Sequence, residues 1–235
     1  MPRIAKTKKT PKPRGLAGEL AALARLDPDL GRALSEVGPP PPRRREPGFP
    51  ALLGIILAQQ VSTASAAAIW NRLVQRVDPL TPERLLAEPE EGLRAIGFSR
   101  AKIVYGRALA SALAEGRLSI ERVHGLDDGA AVAALSALPG IGRWSAEIYL
   151  LFALERRDIW PAGDLALQLA VQRLKGLSAR PKIGELDRIA EKWRPWRSAA
   201  ARLLWHYYRA GGLPPALASA GIVAAGVDSV SLTNR

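Results

Sequence analysis

Cysteine is absent from the 235-residue sequence, and histidine occurs only twice, at His124 and His206. The lack of cysteine excludes disulfides, cysteine-ligated zinc and cysteine-ligated iron–sulfur clusters. Two histidines so far apart in the sequence do not form a convincing metal-binding pattern. We therefore expect no metal site built from these residue types.

Long apolar runs are also missing, since no stretch approaches the roughly 18 residues that a membrane span needs. The basic residues at the start of the chain are not followed by the apolar core of a secretory signal. These two absences lead us to expect no membrane segment and a cytoplasmic location.

Strand-like alternation of β-branched residues is nearly absent, whereas apolar residues recur at helical spacing along most of the chain. Capping signals, such as Ser62 and the sequence Thr81-Pro82-Glu83, mark helix starts. The pattern predicts an all-α fold of many short helices joined by tight turns. The predicted helices cover 15–37, 51–58, 62–77, a segment starting at 82, 90–96, 100–115, 119–124, 128–138, 143–154, 165–174, 184–193 and 196–210.

The chain carries 34 lysines and arginines against 22 acidic residues, a formal net charge of +12. Half of this excess lies in residues 1–14, which contain no acid. Residues 1–15 are therefore predicted to be a basic disordered arm, residues 16–214 the folded domain, and residues 215–235 a C-terminal tail without periodicity. Because the folded part remains basic, we expect a polyanionic partner, either nucleic acid or an acidic membrane face.

The sequence LPGIG at 138–142 places a proline and two glycines between two predicted helices. Gly140 and Gly142 can adopt positive φ, and the helix that follows begins with free amides that can bind a phosphate oxygen. An ordinary turn between two helices fits the same residues. In a basic all-α chain we favour a helix-hairpin-helix, which would contact the DNA backbone through Pro139, Gly140, Ile141, Gly142 and Arg143.

A weaker copy of this pattern occurs in AIGFSRAKI at 95–103, which has one glycine and the basic residues Arg100 and Lys102. Both side chains are predicted to contact the DNA backbone. The alternative is a simple turn without a ligand.

Asp164 follows Pro161 and Gly163 and stands directly before a predicted helix. Aspartate is one of the best N-cap residues, so capping alone would explain it. The capping and catalytic interpretations are compatible, because a helix N-terminus also favours a negative charge. A carboxylate of this kind can stabilise the positive charge that a sugar gains when its glycosidic bond breaks.

The segments LPGIGRWSA, WPAGDLALQ and EKWRPWRSAAARLLW together resemble the helix-hairpin-helix (HhH-GPD) DNA glycosylases. The signature of that superfamily is the hairpin followed by a Gly/Pro-rich loop that ends in aspartate. The tryptophan-containing segments and ILAQQVSTASAAAIWNRL are most similar to its DNA-3-methyladenine glycosylase II branch. The resemblance covers roughly residues 47–212. It implies two helical lobes with the active-site cleft between them. The larger branch members also carry an N-terminal β-rich domain, but the residues before Pro47 are too few and too helical for one, so we expect none.

The resemblance implies that Asp164 is the catalytic residue. Bifunctional relatives carry a Schiff-base lysine two residues after the second hairpin glycine, where this sequence has Trp144. We therefore expect a monofunctional enzyme, in which water attacks C1′ and an abasic site remains. We expect no cofactor and no iron–sulfur cluster, and a monovalent cation on the hairpin carbonyls is left as an open alternative.

A base pocket at Trp144 and Trp205 is also implied by the resemblance, with Ile148 and Tyr149 near the place of a pocket tyrosine in the branch. From helical spacing alone, core packing is the better interpretation of both tryptophans. Gln60 matches the side chain that fills the gap left by an extruded base. The alternative interpretation of Gln60 is that Gln59 and Gln60 only end a helix.

The expected function is a monofunctional DNA glycosylase of base excision repair, acting as a monomer on double-stranded DNA at the nucleoid. The expected substrates are alkylated purines of the 3-methyladenine and 7-methylguanine type, which are flipped out of the duplex before cleavage. Two alternatives remain. One is a glycosylase for deaminated, oxidised or mismatched bases on the same fold, and the other is a non-catalytic helix-hairpin-helix DNA-binding module.

Overall fold

The computed structural model describes residues 15–211. These residues form thirteen α-helices and one short 3₁₀ helix, and they contain no strand. The α-helices are α1 (Gly15–Leu26), α2 (Pro28–Val37), α3 (Phe49–Ala58), α4 (Thr63–Arg76), α5 (Pro82–Ala87), α6 (Glu90–Ala95), α7 (Arg100–Ala114), α8 (Ile120–Gly125), α9 (Asp128–Ser136), α10 (Arg143–Phe152), α11 (Leu165–Lys175), α12 (Ile183–Ala190) and α13 (Arg197–Ala210), with the 3₁₀ helix Glu191–Trp193 before α13. Apart from Gly15, the predicted arm and the predicted tail at 215–235 lie outside the described residues.

The helices pack as two lobes. In the first lobe, α7 packs against α3, α5 and α6, and α10 packs against α3 and α9. In the second lobe, α1 and α2 pack against α13, and α11 packs against α2, α12 and α13. The chain therefore leaves the second lobe after α2 and returns to it at α11, so the loop before α11 lies between the lobes.

Helix α3 forms the centre of the first lobe, and nearly all of its residues are buried. Its sequence, FPALLGIILA, is apolar on every side, which suits a helix surrounded by others. Even so, no helix within residues 15–211 combines the length and the apolarity that crossing a membrane requires.

The single helix predicted over 15–37 is wrong, because the structure divides it into α1 and α2 at Asp27. Asp27 has an extended backbone, and its Oδ1 accepts a hydrogen bond from Asp29 N at 3.1 Å, which makes it the N-cap of α2. Pro28 then occupies the first position of α2, where its missing N–H costs nothing. The Asp-Pro pair therefore starts a new helix.

The Asp27 carboxylate is buried and ties together three parts of the second lobe. Its Oδ2 lies 2.8 Å from Trp193 Nε1, 3.1 Å from Lys175 Nζ and 3.1 Å from Lys192 Nζ. Burial by itself raises the pKa of Asp27, but the hydrogen bonds from Trp193, Lys192 and Lys175 outweigh burial and lower the pKa to about 2. The folded state therefore favours the ionised carboxylate over the protonated one.

We expect Asp27→Asn to lower the free energy of unfolding by about 2 kcal/mol at pH 7, because each unit of pKa depression corresponds to roughly 1.4 kcal/mol. This stabilisation is complete above the ordinary pKa of 3.8 and is lost as the pH falls through about 2. Urea unfolding should therefore show equal differences between wild type and variant at pH 7 and pH 5, and a smaller one at pH 3.

The control for this experiment is Asp127→Asn, which changes the exposed N-cap of α9. It should leave stability almost unchanged, because asparagine and aspartate cap helices about equally well. A difference between wild type and Asp27→Asn that shrinks between pH 7 and pH 5 would assign the effect to another titrating group.

Candidate active-site cleft

A cleft of about 730 Å³ opens between the two lobes. Its walls are the end of α3 with the turn after it, part of α7, the turn between α9 and α10, and the loop that leads into α11. Gly140, Gly142 and Asp164 all line it. The structure thus brings the hairpin and the aspartate, the two strongest sequence signals, into one site.

The turn between α9 and α10, residues 138–143, is called the phosphate-binding turn below, after the ligand that the sequence predicts for it. Ile141 N donates to Leu138 O at 3.1 Å, which closes the turn, and Gly140 has a φ of 82°. A Cβ on Gly140 would lie 2.2 Å from the ring of Tyr105. Both its backbone angle and its neighbour therefore require a glycine at position 140.

Nothing in the fold requires a glycine at position 142. Gly142 has a φ of −80°, which any residue can adopt, and an added Cβ would have no atom within 4 Å. It is the N-cap of α10, whose first amides have no partner inside the helix. The missing side chain therefore leaves these amides open to a ligand, and helix N-termini favour an anion.

The other predicted residues of the turn differ in exposure. Pro139 and Arg143 are exposed, whereas Ile141 is buried and can offer a ligand only its main chain. Arg143 Nε donates to Glu147 Oε1 at 2.8 Å, and this hydrogen bond raises the pKa of Arg143. The guanidinium beside the open end of α10 is therefore paired with the Glu147 carboxylate.

Asp164 is the N-cap of α11 and is 5% exposed. Its Oδ1 accepts hydrogen bonds from Leu167 N at 2.9 Å and from Trp205 Nε1 at 3.0 Å. Its Oδ2 accepts a hydrogen bond from Trp144 Nε1 at 2.9 Å. Donors from α11, α13 and α10 therefore fix both carboxylate oxygens at the wall of the cleft.

The two tryptophans that bind Asp164 have different surroundings. Trp144 is half-buried and lines the cleft, so its ring is available to a bound base. Trp205 is 4% exposed and stacks on Phe152, with the ring centroids 5.6 Å apart. The predicted place of Trp205 in the base pocket is therefore corrected: it lies behind Asp164, in the core, and reaches the site only through its indole N–H.

The turn after α3 places Gln60 on the rim of the cleft. Gln60 is exposed and has a φ of 56°, a left-handed conformation that is uncommon for residues other than glycine. The preceding residue, Gln59, turns inward, and its Nε2 donates to Gly140 O at 2.8 Å and to Ser145 Oγ at 3.0 Å. The exposed Gln60 thus lies next to the phosphate-binding turn.

Residues 53–195 match the HhH-GPD superfamily of base excision DNA repair proteins. The chain belongs to this family. DNA-3-methyladenine glycosylase 1 of Schizosaccharomyces pombe is 32% identical over 191 residues, which cover 78% of this chain and 83% of that protein. DNA-3-methyladenine glycosylase 2 of Escherichia coli is 32% identical over 189 residues, which cover 74% of this chain and 64% of that protein.

A solved structure of the S. pombe 3-methyladenine DNA glycosylase in complex with abasic DNA has a similar fold. It matches with a TM-score of 0.75 at 29% identity, over 83% of this chain and 97% of that one. The all-α HhH-GPD fold predicted from the sequence is thereby confirmed, and no strand occurs in the described part of the chain.

Within this HhH-GPD fold, Lys102 does not occupy the predicted position at the DNA backbone. Its Nζ donates to Leu57 O at 2.7 Å, only 8% of the residue is exposed, and burial lowers its pKa. Lys102 therefore caps the C-terminal end of α3, and its predicted DNA contact is wrong. Arg100, the first residue of α7, is exposed and remains a candidate for a phosphate contact.

Tyr149 and Ile148 also lie away from the HhH-GPD cleft. Tyr149 is completely buried, its hydroxyl accepts a hydrogen bond from Gly48 N at 3.1 Å, and burial raises its pKa to about 12. Ile148 is buried in the same core. The predicted pocket positions of both residues are therefore wrong. Because all of α10 after its second residue is buried, spacing alone did not show which of its sides meets the cleft.

Two cleft residues were not indicated by any sequence pattern. Tyr105 on α7 is half-buried, lines the cleft and packs against Gly140. Ser136, at the end of α9, also lines the cleft, and its buried Oγ has no hydrogen-bond partner within the described part of the chain. Elsewhere in residues 15–211, as here, no group of three or more acidic or histidine side chains is placed to hold a metal ion.

We expect Lys102→Met to affect the stability of the fold and Arg100→Gln to affect DNA binding. Lys102→Met should lower the free energy of unfolding by about 1–3 kcal/mol, because it leaves the buried Leu57 carbonyl without its donor. Arg100→Gln should leave stability unchanged but weaken duplex binding and reduce the salt slope by about 1, as expected for one lost phosphate contact. Urea unfolding measures the stability of each variant, and fluorescence anisotropy with a labelled duplex measures its DNA affinity. Weaker DNA binding by Lys102→Met at unchanged stability would reinstate the original interpretation.

Proposed function

We propose that this HhH-GPD protein is a DNA glycosylase that releases alkylated purines, of the 3-methyladenine and 7-methylguanine type, from double-stranded DNA. The observation that carries the proposal is the Asp164 carboxylate, which three N–H donors fix in a cleft shared with the open N-terminus of α10. The names of the S. pombe and E. coli relatives support the substrate class.

The start of α10 supplies the contact with the DNA backbone. Its free amides and helix dipole attract a phosphate, the bare backbone at Gly142 allows close approach, and Arg143 adds a positive charge. Such a contact does not depend on base sequence, because phosphates carry no base information. An enzyme that inspects DNA of every sequence for damage needs this property. The abasic-DNA complex of the S. pombe relative supports duplex DNA as the partner.

The cleft receives the damaged base after it has been rotated out of the duplex. Its volume of about 730 Å³ is within the usual range for a small-molecule site. The ring of Trp144 forms part of the wall, and an alkylated purine, which carries a positive charge, gains cation–π attraction there. Gln60 fills the gap that the base leaves in the stack.

Asp164 then stabilises the positive charge that develops on the deoxyribose as the glycosidic bond breaks. A carboxylate has about four acceptor sites, so three protein donors leave room for one water molecule. The water oxygen bonds to C1′ and loses a proton to solvent, while the base departs with the electrons of the broken bond. Because an alkylated purine is cationic, it leaves as a neutral base and needs little acid assistance.

The expected product is an abasic site in an intact strand. Trp144 stands where bifunctional relatives carry the Schiff-base lysine, and an indole cannot serve as that nucleophile. Its N–H is donated to Asp164 instead. The proposed chemistry needs no cofactor, because Asp164 and one water molecule supply the groups that it uses. All the groups used belong to one polypeptide, so we propose that the enzyme acts as a monomer.

Asp164→Asn tests the proposed chemistry. The asparagine amide has the same shape as the carboxylate, and its oxygen can still accept a hydrogen bond from Leu167 N. It lacks the negative charge, however, and its NH₂ group would face the N–H of Trp144, so that two donors meet. Release of methylated purines from a labelled duplex should fall at least about 100-fold, while DNA affinity stays within a few-fold of wild type. Strand breakage after hot alkali measures the release.

Each other outcome of this assay contradicts a specific part of the proposal. Equal release by both proteins would remove Asp164 from the chemistry, and breakage without alkali would show a lyase. Release restricted to deaminated, oxidised or mismatched bases would indicate the alternative glycosylase. DNA binding by wild type without release of any base would indicate a non-catalytic DNA-binding module.

Gly142→Ala tests the contact with phosphate. The added methyl group has free space within the protein but would stand between α10 and the DNA backbone, so we expect duplex affinity to fall about tenfold, as for a loss of roughly 1.4 kcal/mol. Stability should fall by no more than about 1 kcal/mol, since alanine is a poorer N-cap than glycine.

Gly184→Ala is the matched control, because Gly184 lies near the start of α12, outside the cleft, with equally open space around its Cα. Anisotropy with an undamaged duplex and urea unfolding compare the two variants. If Gly142→Ala binds DNA as tightly as Gly184→Ala, the start of α10 does not contact the backbone.

A further inference from the structure

We infer that Gln59 is a positioning residue, which fixes the phosphate-binding turn and the wedge residue Gln60 at the separation that base extrusion requires. The inference rests on the proposed function. It concerns the step in which the base leaves the stack and not the step in which the glycosidic bond breaks.

One side-chain amide joins two elements that lie about eighty residues apart in the sequence. Both Nε2 hydrogens of Gln59 are used, one on Gly140 O at 2.8 Å and the other on Ser145 Oγ at 3.0 Å. Gly140 is at the tip of the phosphate-binding turn, and Ser145 is a buried residue in the first turn of α10. Gln59 therefore holds the turn on both sides of the open helix N-terminus.

Gln60 directly follows Gln59, so its position is set by the same bonds. Its left-handed backbone is a conformation that persists only where the surrounding structure imposes it. Lys102 Nζ, on Leu57 O, secures the end of α3 two residues before Gln59. Gln59 is thus the last anchored side chain before the exposed tip.

Extrusion of a base needs two contacts at once. In the proposed function, the phosphate-binding turn holds the backbone while Gln60 enters the space that the flipped base vacates. If the two contacts are not fixed relative to each other, the duplex can be bound with the wedge out of register. Such a small misplacement strongly lowers the rate of a step that depends on the positions of both contacts. Loss of Gln59 should therefore slow extrusion and spare both DNA affinity and bond cleavage.

The experiment compares Gln59→Ala, Gln60→Ala and the double variant in single-turnover release of 7-methylguanine. One duplex pairs the lesion with cytosine, and the other places it opposite an abasic position, where no base pair has to open. Gln59→Ala should slow release from the paired duplex about tenfold, the equivalent of one or two hydrogen bonds, and release from the unpaired duplex less than twofold. The double variant should be no slower than the slower single variant, because both residues act in one step.

Two further variants separate positioning from general stability. Gln59→Glu keeps the length of the side chain but lacks the N–H donors, so it should reproduce the Gln59→Ala result. Gln172→Ala removes a different glutamine amide, one that donates to the Leu177 carbonyl in the other lobe, and should release the base like wild type. Equal slowing on both duplexes, multiplicative effects in the double variant, or wild-type activity of Gln59→Glu would each overturn the inference.

A fluorescent probe measures base extrusion independently of base release, so the role of Gln59 can be tested even if the proposed function is wrong. A 2-aminopurine placed next to the lesion reports extrusion in the Asp164→Asn background, where cleavage is expected to be at least about 100-fold slower. If wild type released no base, the proposed function would fail while the probe still measured extrusion. A Gln59→Ala change that left the rate of this signal unaltered would overturn the role of Gln59 alone.

Discussion

Each hydrogen-bond donor to the Asp164 carboxylate comes from a different helix: Leu167 N from α11, Trp144 from α10 and Trp205 from α13. Burying a carboxylate is costly unless such donors replace the lost water. The fold therefore supplies three donors at one point, and in doing so fixes the hairpin helix, the loop between the lobes and the last helix relative to one another. The bonds that hold the lobes around the cleft are the same ones that orient the proposed catalytic group.

This arrangement explains why the capping and catalytic interpretations of Asp164 were both compatible with the sequence. A cap uses one carboxylate oxygen to bind one backbone amide. Here Oδ1 does so, and the indole of Trp205 shares it, while Oδ2 is held from the side of the cleft by Trp144. The N-cap position sets where the carboxylate is, and the tryptophans decide which way it faces.

Local patterns predicted most of the fold, and the parts they missed depend on contacts between distant residues. Helix starts such as Ser62 and Thr81 carry their own signal, and so did Asp27-Pro28, which the apolar spacing of 15–37 concealed. Whether a lysine such as Lys102 reaches solvent or a carbonyl forty-five residues away is not a local property. Nor could spacing show which side of the buried helix α10 meets the cleft, which is why Tyr149 was misplaced.

The corrected position of Lys102 also clarifies the rim of the cleft. A left-handed glutamine at the end of α3 is strained, at a cost of order 1–3 kcal/mol that other contacts must offset. Lys102 binds the carbonyl of Leu57 just before this turn, and Gln59 binds the hairpin just beside it. Lys102, which the sequence predicted to contact DNA, thus affects the site only indirectly: it stabilises the end of the helix that Gln60 follows. The two cations of the segment 95–103 therefore differ: Arg100 is exposed and stays a predicted phosphate contact, whereas Lys102 stabilises the fold.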